Sequence, residues 1–127
     1  MSESTVLVAD NSPTIRKFLE LFFKSEGVEV VTATDGHSAW VAVTDRKPDL
    51  AIIDVSLEGV DGYQLCQTIR SGVSSKPIPV ILLGSKDGLA DKIRGRLAGA
   101  AELVGKPFDP QSLLTLVQKH VKTSKES

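Results

Sequence analysis

Five short apolar runs of strand length recur along the chain, at Thr5–Ala9, Val28–Ala33, Leu50–Ile53, Pro79–Leu83 and Glu102–Val104. Most are continuous rather than alternating, the pattern of strands covered on both faces. Such strands have no side to give to water, so the segments between them must supply two layers of cover. Those segments read as helices. Asn11-Ser12-Pro13 is a helix start, a capping side chain followed by proline in the first turn. Ile15, Phe18, Leu19, Phe22 and Phe23 then recur at helical spacing until Gly27. Gly36–Arg46 carries Ala39, Trp40 and Val43 and stops before Pro48, and Asp61-Gly62 opens a segment with Leu65, Cys66 and Ile69. Asp87–Leu97 is a weaker helix, because Gly88 and Gly95 each cost up to about 1 kcal/mol relative to alanine. Asp109-Pro110 starts the last helix, with Leu113, Leu114, Leu116 and Val117 inside, and the polar tail 122–127 is expected to fray.

A strand followed by a helix, five times over, predicts an α/β domain with a doubly wound parallel sheet. Right-handed crossovers leave few topologies for it. The 127 residues suit one domain, with a core over about 5–121. The charge balance, 15 − 16 = −1, gives no field toward nucleic acid or an acidic membrane, and neither is expected as a partner. The longest apolar run, Ile78–Leu83, is far short of the ~18 residues that span a bilayer. The first residues lack the basic stretch of a signal peptide. The single Cys66 excludes an internal disulfide and suits a reducing compartment, so a cytoplasmic location is expected.

In doubly wound sheets chemistry collects at the carboxyl ends of the strands. Asp10 and Asn11 follow the first run, Asp54 the third, Gly84 and Ser85 the fourth, and Lys106 the fifth, just before Pro107. Helix capping accounts for Asn11 and Ser12. It accounts poorly for Asp54, because the next helix opens near Asp61, and not for Lys106, since an ammonium cannot cap a helix N-terminus. Two converging carboxylates repel unless a cation intervenes, and hard oxygen ligands favour Mg2+. A lysine opposite can neutralise a phosphoryl oxygen as a point charge, and a carboxylate can be the nucleophile that forms an acyl phosphate.

The chain resembles the receiver domain of bacterial two-component response regulators over nearly its whole length. The residues that carry the resemblance are Val6-Leu7-Val8-Ala9-Asp10-Asn11-Ser12-Pro13-Thr14-Ile15-Arg16, Pro48-Asp49-Leu50-Ala51-Ile52-Ile53-Asp54, Asp61-Gly62-Tyr63 and Lys106-Pro107-Phe108. Their order and spacing together are specific. Ser85-Lys86-Asp87-Gly88-Leu89 also resembles single-domain receivers of twitching and gliding motility systems. The resemblance implies a single flavodoxin-like (βα)5 receiver domain over 1–127, with a five-stranded parallel sheet in the order 2-1-3-4-5. It implies that Asp54 takes a phosphoryl group from a histidine kinase or phosphotransfer protein, with Mg2+ as cofactor. Asp10, Asn11, Asp54 and the backbone carbonyl of Ser56 match the metal-binding positions, and Lys106 matches the phosphate-contacting lysine. Val55, Ser56, Gly84 and Ser85 fall at the other phosphate-contacting positions. Such a module catalyses its own phosphorylation and slow dephosphorylation rather than turning over a separate substrate. It signals to a downstream protein through its fourth helix, fifth strand and fifth helix.

Several positions depart from that family's pattern. Asn11 stands where a second acid is usual, Gly84 where Thr or Ser is usual, and Leu103 where an inward-swinging aromatic is usual. Glu58 replaces the usual proline of the loop after Asp54. Ser85 is one residue beyond Gly84, so on an extended strand its side chain points the other way. Both members of the common switch pair are therefore missing, and a pseudo-receiver that binds partners independently of phosphate is the competing reading. Elsewhere, Trp40 and Cys66 read as core, and His37 and His120 lack metal-ligand partners, with His120 placed to suit a helix C-terminus. Lys92, Arg94 and Arg96 read as a solvated face beside Asp87 and Asp91, Gly59 and Gly62 as turn residues, and Gly84, Gly88 and Gly95 as loosening the fourth unit. An acid at position 11 restores the usual third negative charge, so Asn11→Asp is expected to raise Mg2+ affinity in a calorimetric titration.

Overall fold

The structure is a computed structural model that describes residues 4–72, 77–85 and 89–126. Its elements are β1 (Thr5–Ala9), α1 (Pro13–Ser25), β2 (Glu29–Ala33), α2 (Gly36–Arg46), β3 (Leu50–Asp54), α3 (Gly62–Ser71), β4 (Val80–Ser85), α4 (Leu89–Leu97), β5 (Glu102–Lys106) and α5 (Pro110–Glu126). The five strands form one sheet in the order β2-β1-β3-β4-β5, as the resemblance implies. Every neighbouring pair is parallel.

Strand alternation splits the core into two layers. Val6, Val8, Leu50, Ile52, Ile81 and Leu83 face one way, against Leu19 and Phe23 of α1 and Leu113, Leu114, Val117 and Val121 of α5. Leu7, Ala9, Ala51, Ile53, Val80 and Leu82 face the other way, against Ala39 and Val43 of α2 and Leu65, Cys66 and Ile69 of α3. Each fully buried Leu or Ile contributes about 1.5–3 kcal/mol. The continuous apolar strands are thus explained by cover on both faces. Trp40 packs on the α2–α3 layer, and burial pushes the Cys66 thiol up to about 11, so it is held as an unreactive apolar group.

Local chemistry fixes the ends. The Ser12 hydroxyl caps α1 by accepting from the Ile15 N–H, with Pro13 at the first helical position. The second strand starts at Glu29, because Val28 N–H turns back to the Phe23 carbonyl at 2.9 Å. Three strands run further than the apolar pattern alone indicates: Asp54, Gly84, Ser85 and Lys106 are the last residues of β3, β4 and β5 rather than loop residues. Their backbones still sit on the ladder, with Asp54 opposite Leu83 and Ser85 opposite Lys106. The polar side chains are therefore mounted on the rigid sheet.

Glycine corrects the sequence reading in one place. Gly62 is the first residue of α3, not a turn residue, and it is buried against the end of β3. Gly84 and Gly95 of the fourth unit are both buried, and Gly88 lies outside the described residues. His120 answers to more than the helix dipole: its Nε2 lies 2.9 Å from Glu102 Oε2, tying α5 to β5. Among the described residues no helix is long and apolar enough to cross a membrane.

A Cβ on Gly62 would lie 2.6 Å from the Asp54 carbonyl oxygen and 2.6 Å from Val55 Cα, backbone that cannot step aside. Gly62→Ala is expected to cost about 1–3 kcal/mol, seen as a lower urea midpoint. Gly95→Ala is expected to do the opposite. Its Cβ would meet Leu82 and Leu103 at 3.7 and 3.8 Å, ordinary contact, and alanine favours the helix by up to about 1 kcal/mol.

Candidate functional site

The winding of the sheet reverses between β1 and β3, which lie side by side with Ala9 opposite Ile53. The next residue on each strand is an aspartate. Asp10 keeps its N–H on the Ala33 carbonyl, 3.2 Å away, and its side chain is 1% exposed. Asp54, in strand conformation, has a side chain 7% exposed. Two carboxylates so placed and so dry demand a cation. The sequence supplies one from the far side of β4: Lys106 Nζ lies 2.7 Å from Asp10 Oδ2 and 3.1 Å from Asp54 Oδ2. The set −1 − 1 + 1 still leaves one negative charge.

Each carboxylate spends its other oxygen on the adjacent loop. Asp10 Oδ1 accepts the Ser12 N–H at 2.9 Å. Asp54 Oδ1 accepts both the N–H and the hydroxyl of Ser56, at 3.1 and 3.0 Å. Burial pulls the Lys106 pKa down, but the hydrogen bonds and attraction of Asp10 and Asp54 outweigh it and leave the pKa raised. The ammonium is therefore charged at neutral pH.

Asn11 does not cap α1. Its Nδ2 donates to the Ser56 carbonyl at 2.9 Å, and its Oδ1 accepts the Glu58 N–H at 3.0 Å. The amide thus spans the mouth of the site from the β1–α1 loop to the β3–α3 loop. Arg16 went without a role in the sequence reading. Its Nη1 donates to the Asp10 carbonyl at 2.6 Å, which anchors the strand end to the first turns of α1. The only sequence signal for this was its place inside the β1–α1 motif.

The donor set suits a small hard cation: the Asp10 and Asp54 carboxylates and the Ser56 carbonyl lie on the two loops and strand ends that the Asn11 amide bridges. Among the described residues no group of three or more His, Cys, Asp and Glu is placed to hold a metal. That agrees with two acids here rather than three.

Toward β4 the site is apolar. Gly84 is buried, and a Cβ there would meet Val55 Cγ2 at 3.2 Å, Val55 Cγ1 at 3.4 Å and Leu103 Cδ1 at 3.5 Å. Val55, the residue after Asp54, therefore fills the space where a side chain on Gly84 would begin. Ser85 is exposed at the strand end, consistent with alternation. Further out, Arg94 of α4 is not simply solvated. It stacks 4.1 Å over the Tyr63 ring and pairs with Asp61 Oδ2 at 2.8 Å, linking α4 to the start of α3. The Tyr63 hydroxyl is buried without a well-formed hydrogen bond among the described residues; burial, and then the nearby Asp91 carboxylate, raise its pKa.

Known proteins resemble this chain in sequence and fold. Residues 6–118 match the family described as the response regulator receiver domain. Protein PilG of Pseudomonas aeruginosa is 40% identical over 116 residues, which cover 91% of this chain and 86% of that protein. Response regulator GtcR of Aneurinibacillus migulanus is 35% identical over 96% of the chain, which spans 49% of its length. Among solved structures, the receiver domain of the Francisella response regulator 1452 superposes with a TM-score of 0.89 at 29% identity, covering 96% of this chain and 99% of that one. The chemotaxis response regulator CheY4 of Vibrio cholerae superposes with a TM-score of 0.85 at 29% identity, over 93% and 98%. The chain belongs to the response regulator receiver family.

Three substitutions test this geometry. Lys106→Met removes the cation between two buried carboxylates and is expected to cost of order 3 kcal/mol at neutral pH by urea unfolding. Because the folded pKa of Lys106 lies above its ordinary 10.5, its contribution is complete below about pH 10.5 and is lost as pH rises through the folded value. Gly84→Thr is expected to destabilise by about 1–3 kcal/mol, and Val55→Ala to relieve much of that cost in a double-mutant cycle.

Proposed function

We propose that Asp54 is the phosphoacceptor of this receiver and that the chain is one signalling domain whose core spans residues 5–121. The observation that carries this reading is the Lys106 ammonium, held within 3.1 Å of both Asp10 and Asp54 at the strand edge. A carboxylate oxygen of Asp54 attacks phosphorus in line; the bond from phosphorus to the donor histidine breaks with its electron pair going to the ring, and the imidazole leaves neutral because its other ring nitrogen carries a proton. Positioning and charge neutralisation supply most of the rate in such transfers. Lys106 turns from the carboxylates to a phosphoryl oxygen as a point charge. The Ser56 N–H, which donates to Asp54 Oδ1 before transfer, and the Ser85 backbone at the end of β4 would be further phosphate contacts, beside Val55 and Gly84. Asp10, Asp54 and the Ser56 carbonyl would hold Mg2+, which when bound offsets the negative charge of the phosphoryl group. The same residues would admit water for slow hydrolysis of the acyl phosphate.

The phosphodonor in this reading is a histidine kinase or phosphotransfer protein, and the listener is a protein that docks on α4, β5 and α5. Ile93 and Leu97 on α4 are exposed apolar groups, with Leu97 78% exposed. A chemotaxis- or motility-type role in the cytoplasm follows the relatives. The departure is the transmission. Gly84 offers no hydroxyl to follow the phosphoryl group, and Leu103 cannot act as an inward-swinging aromatic. Movement at Asp54 would pass instead through the Val55 side chain, which touches the Gly84 position and shares it with Leu103. The same packing favours a second reading, a receiver whose partner surface works without phosphate.

Incubation with acetyl phosphate and Mg2+, followed by intact mass, is expected to show one phosphoryl group on the wild type and none on Asp54→Asn. A phosphoryl-aspartate on that variant would exclude Asp54. Equal partner affinity with and without a phosphoryl mimic would favour the phosphate-independent reading.

A further inference from the structure

Two departures from the family pattern, Asn11 for an acid and Glu58 for proline, meet in one hydrogen-bonded pair. Asn11 Oδ1 accepts the Glu58 N–H at 3.0 Å, and proline has no N–H to give. The other end of the same amide donates to the Ser56 carbonyl at 2.9 Å. The orientation is forced, since only the nitrogen can donate to a carbonyl and only the oxygen can accept from an N–H. Glu58 is held from its other side too: its carbonyl accepts the Gly36 N–H at 2.8 Å, at the start of α2.

We propose that Asn11 is a clasp that takes over the cross-link a divalent cation makes between the β1–α1 and β3–α3 loops, and that it competes with the cation rather than ligating it. The proposal rests on the receiver reading for the identity of the cation. An aspartate at position 11 would face the Ser56 carbonyl with two acceptors, and those oxygens can be joined only through a cation or a water between them. An amide joins them directly. In the clasped state each group a cation needs is already engaged. The Ser56 carbonyl takes Nδ2, Oδ1 takes the Glu58 N–H, and both carboxylates take Lys106. The loop after Asp54 is thereby set in place without metal, and Mg2+ binds only at the expense of the clasp.

A ligand role and a clasp role predict opposite signs for one variant. If Asn11 ligates, Asn11→Ala weakens Mg2+ binding. If it clasps, the same variant frees the Ser56 carbonyl and binds Mg2+ roughly three- to ten-fold more tightly, the worth of one modest hydrogen bond. Glu58→Pro removes the N–H and is expected to shift affinity the same way. Glu58→Ala keeps the N–H, removes the same charge and serves as its reference. A second readout needs no metal: in EDTA, hydrogen exchange at the Glu58 N–H is expected to be several-fold faster in Asn11→Ala than in the wild type. Tighter Mg2+ binding together with faster exchange supports the clasp. Weaker Mg2+ binding by Asn11→Ala, no Mg2+ binding by either protein, or unchanged Glu58 exchange overturns it. Phosphoryl uptake by the wild type is scored separately, so failure of the clasp and failure of Asp54 as acceptor give different results.

Discussion

The contact of Lys106 with Asp10 and Asp54 is what the sheet edge is built around. Burying two carboxylates side by side is costly, and a removed partner leaves an uncompensated charge in low dielectric. The lysine resolves this only because β5 ends at a position from which its side chain spans β4 to reach both acids, at 2.7 and 3.1 Å. Parallel order and register are therefore electrostatic necessities here as well as packing outcomes. A one-residue slip of β5 would turn Lys106 to the other face and strand both carboxylates.

Around that ion cluster the backbone is pinned by short-range polar bonds. Ser12 and Ser56 each give an N–H to one of the acids, Arg16 holds the Asp10 carbonyl, and Asn11 closes the gap between the loops. The site is thus assembled before any ligand arrives. Preorganisation of this kind favours phosphoryl transfer, which depends on positioning and on charge placed in advance. It also raises the cost of admitting a cation, because each hydrogen bond displaced must be offset.

On the β4 side the structure trades polarity for packing. Val55 occupies the space beside Gly84 and shares it with Leu103, while Gly95 brings α4 close to Leu103 and Tyr63. This continuous apolar contact runs from the residue after Asp54 to the α4–β5 face. Arg94 then ties that face to α3 through Asp61 and the Tyr63 ring.

The sequence by itself determined the layer architecture, the five units and the acids and lysine of the site. Continuous apolar runs leave one physical solution, strands covered on both faces, and Asp54 and Lys106 have no role as helix caps to hide their chemistry. Only the tertiary structure decided what depends on neighbours distant in the chain. That Gly62 is a close approach to backbone, that Gly84 is filled by Val55, and that Arg94 finds Asp61 are facts of contact between separate elements. So is the bond between Asn11 and Glu58, 47 residues apart. Hydrophobic periodicity is local and is written along the chain, whereas the partner of a hydrogen bond is fixed only when the sheet brings two strand ends together.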